Sequence, residues 1–246
     1  MDLRRYRTLV EYDGTDFCGF QRQAQGERTV QETLEQAIQS VTGQRVIVNA
    51  AGRTDSGVHA SGQVIAFEVG WSHGEATLGR ALNANLPCDV AVRDVRLTDS
   101  CFHPRFAAHR RTYRYSINNQ IEPSPLLRRM TWHRPGSLDL AAMNCASKLL
   151  VGRRDFGTFG RPPAGVNTVR QVFAAEWQRQ DGLFVFAIEA DAFLNRMVRS
   201  LVGTLCLVGD GRWSVCDFKQ ALDAVDRKRS GPAAPPQGLC LVSVVY

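Results

Sequence analysis

The stretch AGRTDSGVHASGQV, residues 51–64, decides how this chain is read. Gly52, Gly57 and Gly62 fall between two runs of strand-forming residues, RVIVNAA (45–51) and QVIAFEV (63–69). The pattern predicts a strand, a loop over 52–62 and a second strand. Glycine backbone can bend tightly there and let a ligand come close. The loop presents Arg53, Asp55 and His59. In an extended chain Arg53 and Asp55 point to the same side. An aspartate, with an ordinary pKa of about 3.9, is ionised at neutral pH. It therefore needs no partner base to act as a nucleophile. It does need a cation if a pocket strips its water, and arginine carries that charge permanently. The same residues also suit a plain turn, with Asp55 capping the backbone and Arg53 as its surface ion pair. Composition and spacing leave both readings open, and His59 alone is a weak catalytic signal.

Working outward, YRTLVEYDG (6–14) alternates as a half-buried strand that ends in a turn. Residues 15–28 are polar and glycine-bearing, with Gln21, Arg22 and Gln23 in a row. Thr29 and Glu32 form a capping-box pattern, followed by Val30, Leu34, Ala37, Ile38 and Val41 at helical spacing up to Gly43. EATLGRALNANLP reads as a short helix ending before Pro87, and VAVRDVRL as a strand. Further on, TYRYSIN (112–118) is a strand, and 137–150 a helix capped by Ser137. TVRQVFAAEW and LFVFAIEA form a hairpin across Gln-Asp-Gly. A long helix is predicted from Phe193 to Leu207, with Phe193, Met197, Leu201 and Leu205 on one face and Arg196, Arg199 and Gly203 on the other. A shorter helix runs from Asp217 to Val225, and LCLVSVVY closes the chain. Irregular alternation with hairpins favours an α+β fold with largely antiparallel sheet. Both halves start with strands, so an internal duplication is conceivable.

The chain has 246 residues, 44% hydrophobic and 22% charged, which excludes a disordered or collagen-like polymer. No apolar run reaches about 18 residues, and the N-terminus has no apolar leader stretch. A soluble cytoplasmic protein is expected. Seven cysteines without a CxxC pair or zinc-finger spacing argue against a disulfide scaffold or structural zinc, and imply reduced, mostly buried thiols. Charge is uneven. Residues 1–104 carry 10 basic and 13 acidic groups, and residues 105–246 carry 20 and 11. A domain boundary is placed there, at His103-Pro104, giving an N-terminal unit 1–104 and a basic unit 105–246. Of the 30 basic residues only Lys148, Lys219 and Lys228 are lysine. Arginine suits phosphate because its planar fork donates two hydrogen bonds at once. Arg105, Arg110, Arg111, Arg114, Arg128, Arg129 and Arg134 cluster against one acid, Glu122, and make the leading candidate for contact with a nucleic-acid backbone.

The motif GRTDSGVHA closely resembles GRTDAGVHA, the catalytic signature of the TruA family of tRNA pseudouridine synthases. Other segments resemble the family in the same order: EYDGTDFCGFQRQ, TVQETLEQA, LNANLP, FHPRF, TYRYSI, FLNRMVRSLVGTL and GLCLVSVVY. Ser56 stands where the family has alanine, and Ser200 where asparagine is common. The resemblance implies the pseudouridine synthase fold, with two similar subdomains around a central cleft. It implies isomerisation of uridine to pseudouridine at nucleotides 38, 39 and 40 of the tRNA anticodon stem-loop, by a homodimer and without metal or cofactor. Asp55 falls on the family's catalytic aspartate, which attacks ribose C1′, attacks uracil C6, or draws a ribose proton to give a glycal. Tyr113 falls on its active-site tyrosine, packing on the uracil and helping remove the C5 proton. Arg199 falls on the arginine implied to pair with that aspartate. Arg53 is assigned to substrate phosphate or loop geometry, and Arg22 to RNA contact. A tRNA-binding chaperone without chemistry is the alternative, and a hydrolase using Asp55 and His59 a third reading.

Overall fold

The computed structural model describes residues 2–23, 26–162 and 165–246. Two compact units divide the chain. One comprises Met1–His109 with Leu241–Tyr246, and the other Arg110–Cys240. The charge step lies five residues before this changeover, and charge gave no hint that the last six residues join the first unit.

In the first unit, strand β1 (Arg4–Tyr12) lies between β4 (Val90–Leu97) and β3 (His59–Val69), antiparallel to both. The two-residue β2 (Asn49–Ala50) pairs with β3. Residues 45–48 were expected to extend that strand but lie outside it. Strand β10 (Leu239–Val245) runs beside β3, where Gly62 permits a contact no side chain would allow. A Cβ there would sit 2.2 Å from the Val242 carbonyl oxygen. The alternation read in β1 is real: Tyr6, Thr8, Val10 and Tyr12 face the core, and Tyr6 stacks on Phe67. Helices α1 (Val30–Thr42) and α2 (Glu75–Asn85) complete the unit. The Thr29 hydroxyl accepts the Glu32 N–H, and Gly43 closes α1 at φ 72.

The second unit has an antiparallel sheet in the order β5 (Arg110–Asn118), β9 (Leu183–Ala190), β8 (Val169–Gln180), β7 (Gly152–Asp155). The short β6 (Trp132–His133) runs parallel to β5. Hairpin β8–β9 turns through Asp181 and Gly182, both at positive φ, as the Asp-Gly pair leads one to expect. The α+β class and the antiparallel preference therefore hold. Helix α3 (Leu140–Lys148) starts later than predicted, because Asp139 rather than Ser137 accepts the Ala142 N–H. Helix α5 (Val215–Asp223) starts earlier, behind a full capping box between Ser214 and Asp217.

The largest correction concerns α4 (Met197–Gly209). Phe193 to Arg196 are not helical. The Asn195 N–H bonds the Arg161 carbonyl in an isolated bridge, and Arg196 turns the chain at φ 61. Nor does the helix have a polar face. Every residue of α4 except Arg199 is buried. Gly203 is there for space, because a Cβ would lie 1.8 Å from the Pro232 carbonyl oxygen. The cysteines are also corrected. All seven are free thiols, but only Cys206 is buried and four are exposed. Small thiols are tolerated at the surface of a chain whose core is filled by larger apolar side chains. Among the described residues no helix is long and apolar enough to cross a membrane, and no His/Cys/Asp/Glu group could hold a metal ion.

In an open helix, Gly→Ala gains about 0.5–1 kcal/mol. Gly203→Ala is expected to do the reverse and destabilise the protein by about 1–3 kcal/mol through overpacking. Urea denaturation will show the sign.

Candidate functional site

Loop 51–58 is held by the segment that the sequence describes merely as polar. Phe17 and Phe20 of that segment are buried beneath it. The Phe20 N–H donates to the Thr54 carbonyl at 3.1 Å, and the Phe17 carbonyl accepts the Gly57 N–H at 3.3 Å and the Ser56 hydroxyl at 3.1 Å. Thr54 is itself buried, its hydroxyl 2.8 Å from that of Tyr12. On the other flank the buried amide of Gln63 grips Gly52 twice, accepting its N–H at 3.2 Å and donating to its carbonyl at 2.8 Å. Arg28 lies over the Phe17 ring at 4.1 Å and is fixed by two 2.8 Å bonds to Asp89, whose carboxylate raises the arginine's pKa.

Two glycines make this clamp possible. A Cβ on Gly14 would lie 2.0 Å from the Val58 carbonyl oxygen. Gly19 holds φ 92 against the Thr54 carbonyl. With Thr54 turned inward, Arg53 is exposed and Asp55 half-exposed. Arg53 makes no ion pair among the described residues, so it is not the surface partner of Asp55.

His59 opens β3 instead of lying in the loop. It is buried, and its Nδ1 accepts the Gly14 N–H at 3.0 Å. A nitrogen that accepts carries no proton, so the 3.1 Å approach of Asp13 Oδ1 to the same atom is not a hydrogen bond in this tautomer. This histidine orients backbone. Tyr12, Phe17, Phe20, Thr54 and Gln63 were not singled out from the sequence. The signal available was the pair Gly14 and Gly19 within EYDGTDFCGF.

In the second unit Tyr113 is buried on β5, with Phe193 edge-on at 5.0 Å. Arg199 is anchored at both ends of its residue. Its Nε donates to the Ala234 carbonyl at 2.7 Å, and its own carbonyl accepts the Ala234 N–H at 2.9 Å. The arginines proposed for RNA contact are dispersed in role. Arg110 is paired with Glu189 at 2.8 Å and lies over Phe173. Arg111 is buried, donating to the Asp191 carbonyl at 2.6 Å, and so does not lie on the open surface that its assignment assumed. Arg114 bonds Gln180, and Arg105 is exposed beside Phe106. Arg22, in the first unit, pairs with the buried Glu35, and its N–H donates to Gln31.

The family model described as tRNA pseudouridine synthase matches residues 9–107 and 146–246. The tRNA pseudouridine synthase A of Pseudothermotoga lettingae is 43% identical over 246 residues, covering 99% of this chain and all of that protein. The proteins of the same name from Chloroflexus aurantiacus and Rhodospirillum rubrum are 44% and 43% identical, covering 99% and 98% of this chain and 89% and 87% of theirs. With both of its units matched and several relatives above 40% identity along their length, the chain belongs to the tRNA pseudouridine synthase family.

Proposed function

We propose that this chain is an isomerase that converts uridine to pseudouridine at nucleotides 38, 39 and 40 of the tRNA anticodon stem-loop, with Asp55 as nucleophile and no cofactor. The observation that carries the reading is the clamped loop. It buries Thr54, spends the neighbouring backbone on fixed hydrogen bonds and leaves Asp55 half-exposed. A nucleophile must meet its electrophile in one geometry, and holding it there removes a large part of the barrier.

The reaction breaks the N1–C1′ bond, turns the uracil and joins C5 to C1′, after which C5 loses its proton and N1 takes one up. Three routes start from the same ionised Asp55: attack at C1′, attack at C6, or removal of a ribose proton. Uridine in a stem is stacked, so it must first be everted at a cost of a few kcal/mol. Tyr113, buried with its ring plane set by Phe193, is assigned by the family resemblance to pack on the everted base. The family resemblance assigns Arg199 the role of compensating charge for Asp55. Its Nε is committed to the Ala234 carbonyl, which orients the planar fork. Arg53, exposed on the same loop, takes a substrate phosphate. The protein works as a cytoplasmic homodimer. Ile121 and Leu126, both more than four-fifths uncovered, offer apolar surface of the kind a second subunit covers. Hydrolysis is disfavoured because His59 is tied to the Gly14 backbone.

Asp55→Asn keeps the shape and removes the charge. Pseudouridine formed in tRNA, mapped by mass spectrometry, is expected to fall by at least about a hundredfold, while tRNA affinity changes little. Full activity would remove Asp55 from the chemistry. Binding without product in the wild type would leave a tRNA-binding protein, and free uracil would point to a hydrolase.

Arg199→Lys keeps the charge but cannot both hold the Ala234 carbonyl and present a planar fork. Turnover is expected to drop by about tenfold or more. A near wild-type single-turnover rate would contradict the role given to Arg199.

A further inference from the structure

Three arginines of the second unit gather around the first turn of α4, and among the described residues none of them is paired with a carboxylate. The bridge between Arg161 and Asn195 brings Arg161 alongside Arg196. Arg196 occupies the left-handed region at φ 61, uncommon for a side chain of this size, and turns the chain into the helix. Arg227 reaches the same turn from the other side. Its two terminal nitrogens donate to the Ser200 hydroxyl at 3.4 and 3.3 Å, and one of them also to the Thr158 carbonyl at 2.8 Å. Ser200 lies one turn along from Arg196, whose carbonyl accepts the Ser200 N–H at 2.9 Å.

Burial holds the Arg227 pKa below its ordinary value, and the positive charges of Arg161 and Arg196 lower it further, with no acid acting in the opposite sense. Among the described residues none of the three forms an ion pair. Several arginines elsewhere are neutralised, as Arg110 with Glu189 and Arg134 and Arg212 with Asp210. Arg161 and Arg196 are exposed, while Arg227 is half-buried and held from below. Like charges collected this way repel one another unless an anion joins them.

We propose that Arg161, Arg196 and Arg227 form a phosphate subsite that grips a backbone phosphodiester of the RNA substrate. The proposal rests on the reading of the chain as a tRNA-modifying enzyme and adds residues that reading did not include. Arg227 forms the fixed floor and the other two close on the phosphate with planar forks, which match its oxygens two at a time. The same helical turn carries Arg199, so the gripped strand runs past the group assigned to the chemistry. Such contacts set the register of the RNA without reading its sequence.

The test compares the full-length wild type with Arg161→Gln/Arg196→Gln and with Arg161→Lys/Arg196→Lys. Both positions are exposed, and circular dichroism establishes that each variant is folded; single Arg161→Gln serves if the double variant is not. Unmodified tRNA is titrated over a series of KCl concentrations. The glutamine variant is expected to bind about tenfold more weakly at low salt, with the log–log salt slope reduced by about 0.7–0.9 for the lost phosphate contact. The lysine variant keeps most of the slope. An unchanged affinity and slope in the glutamine variant overturns the subsite. So does thermal stabilisation of the wild type by inorganic phosphate with tRNA binding unaltered in the variant, since the site then serves free phosphate. Binding is read without turnover, and product formation by the wild type is scored separately. The subsite and the enzymatic reading can therefore fail independently.

Discussion

The candidate site depends on one close approach, that of the Gly14 backbone to the Val58 carbonyl. Only a residue without Cβ fits there. The contact draws residues 13–20 across loop 51–58, and their N–H and C=O groups then meet in hydrogen bonds instead of being buried without partners. Phe17 and Phe20 supply the apolar burial that holds the segment down, and Arg28 seals Phe17 from above. A carboxylate on an ordinary surface turn samples many rotamers on a moving backbone. Here the residue before it is buried, and the residue after it bonds Phe17. Ser56, where the family has alanine, adds that bond without demanding extra space inside, because its side chain faces outward. The departure from the signature is thus absorbed by the clamp.

A second constraint acts in the other unit. Helix α4 is enclosed on all sides, and a helix so placed accepts a cation only where the side chain can leave the core. Arg199 meets that condition by bonding Ala234 at the margin, and Gly203 lets the chain around Pro232 lie directly on the helix. The segment 232–235 is held by α4 and by Tyr115, whose hydroxyl donates to the Pro235 carbonyl. Replacing Arg199 therefore affects both a charge and the seating of this segment.

The sequence made the class of fold legible because strands such as β1 and β5 alternate and turns such as that of the β8–β9 hairpin carry Asp-Gly. Both are local signals. What it hid was non-local. The start of α4 was misplaced because Phe193 and Met197 share a helical period, whereas the actual boundary is set by Asn195 pairing with a residue 34 positions earlier. The same cause hid the clamp, since Gly14 and Gly19 mark a close approach without saying that loop 51–58 is what they approach. His59 was placed in the loop because Gly62 reads as a breaker, yet that glycine lies within β3 to admit the Val242 backbone.

Charge shows the gap between sequence and site most clearly. The dense run from Arg105 to Arg134 marks a basic half, but density along the chain does not measure charge available to a polyanion. Arg110 and Arg134 are neutralised by Glu189 and Asp210, which lie far away in sequence, and Arg111 serves a buried carbonyl. Arg161, Arg196 and Arg227, spread over 67 positions, receive no such partner among the described residues and converge on one turn of one helix. An arginine already paired must break that pair before it can bind phosphate. One held against its own kind gains on binding both the new contact and relief from repulsion. Unpaired cations that the fold gathers from distant positions are therefore a better guide to polyanion contact than the density of arginine along the sequence.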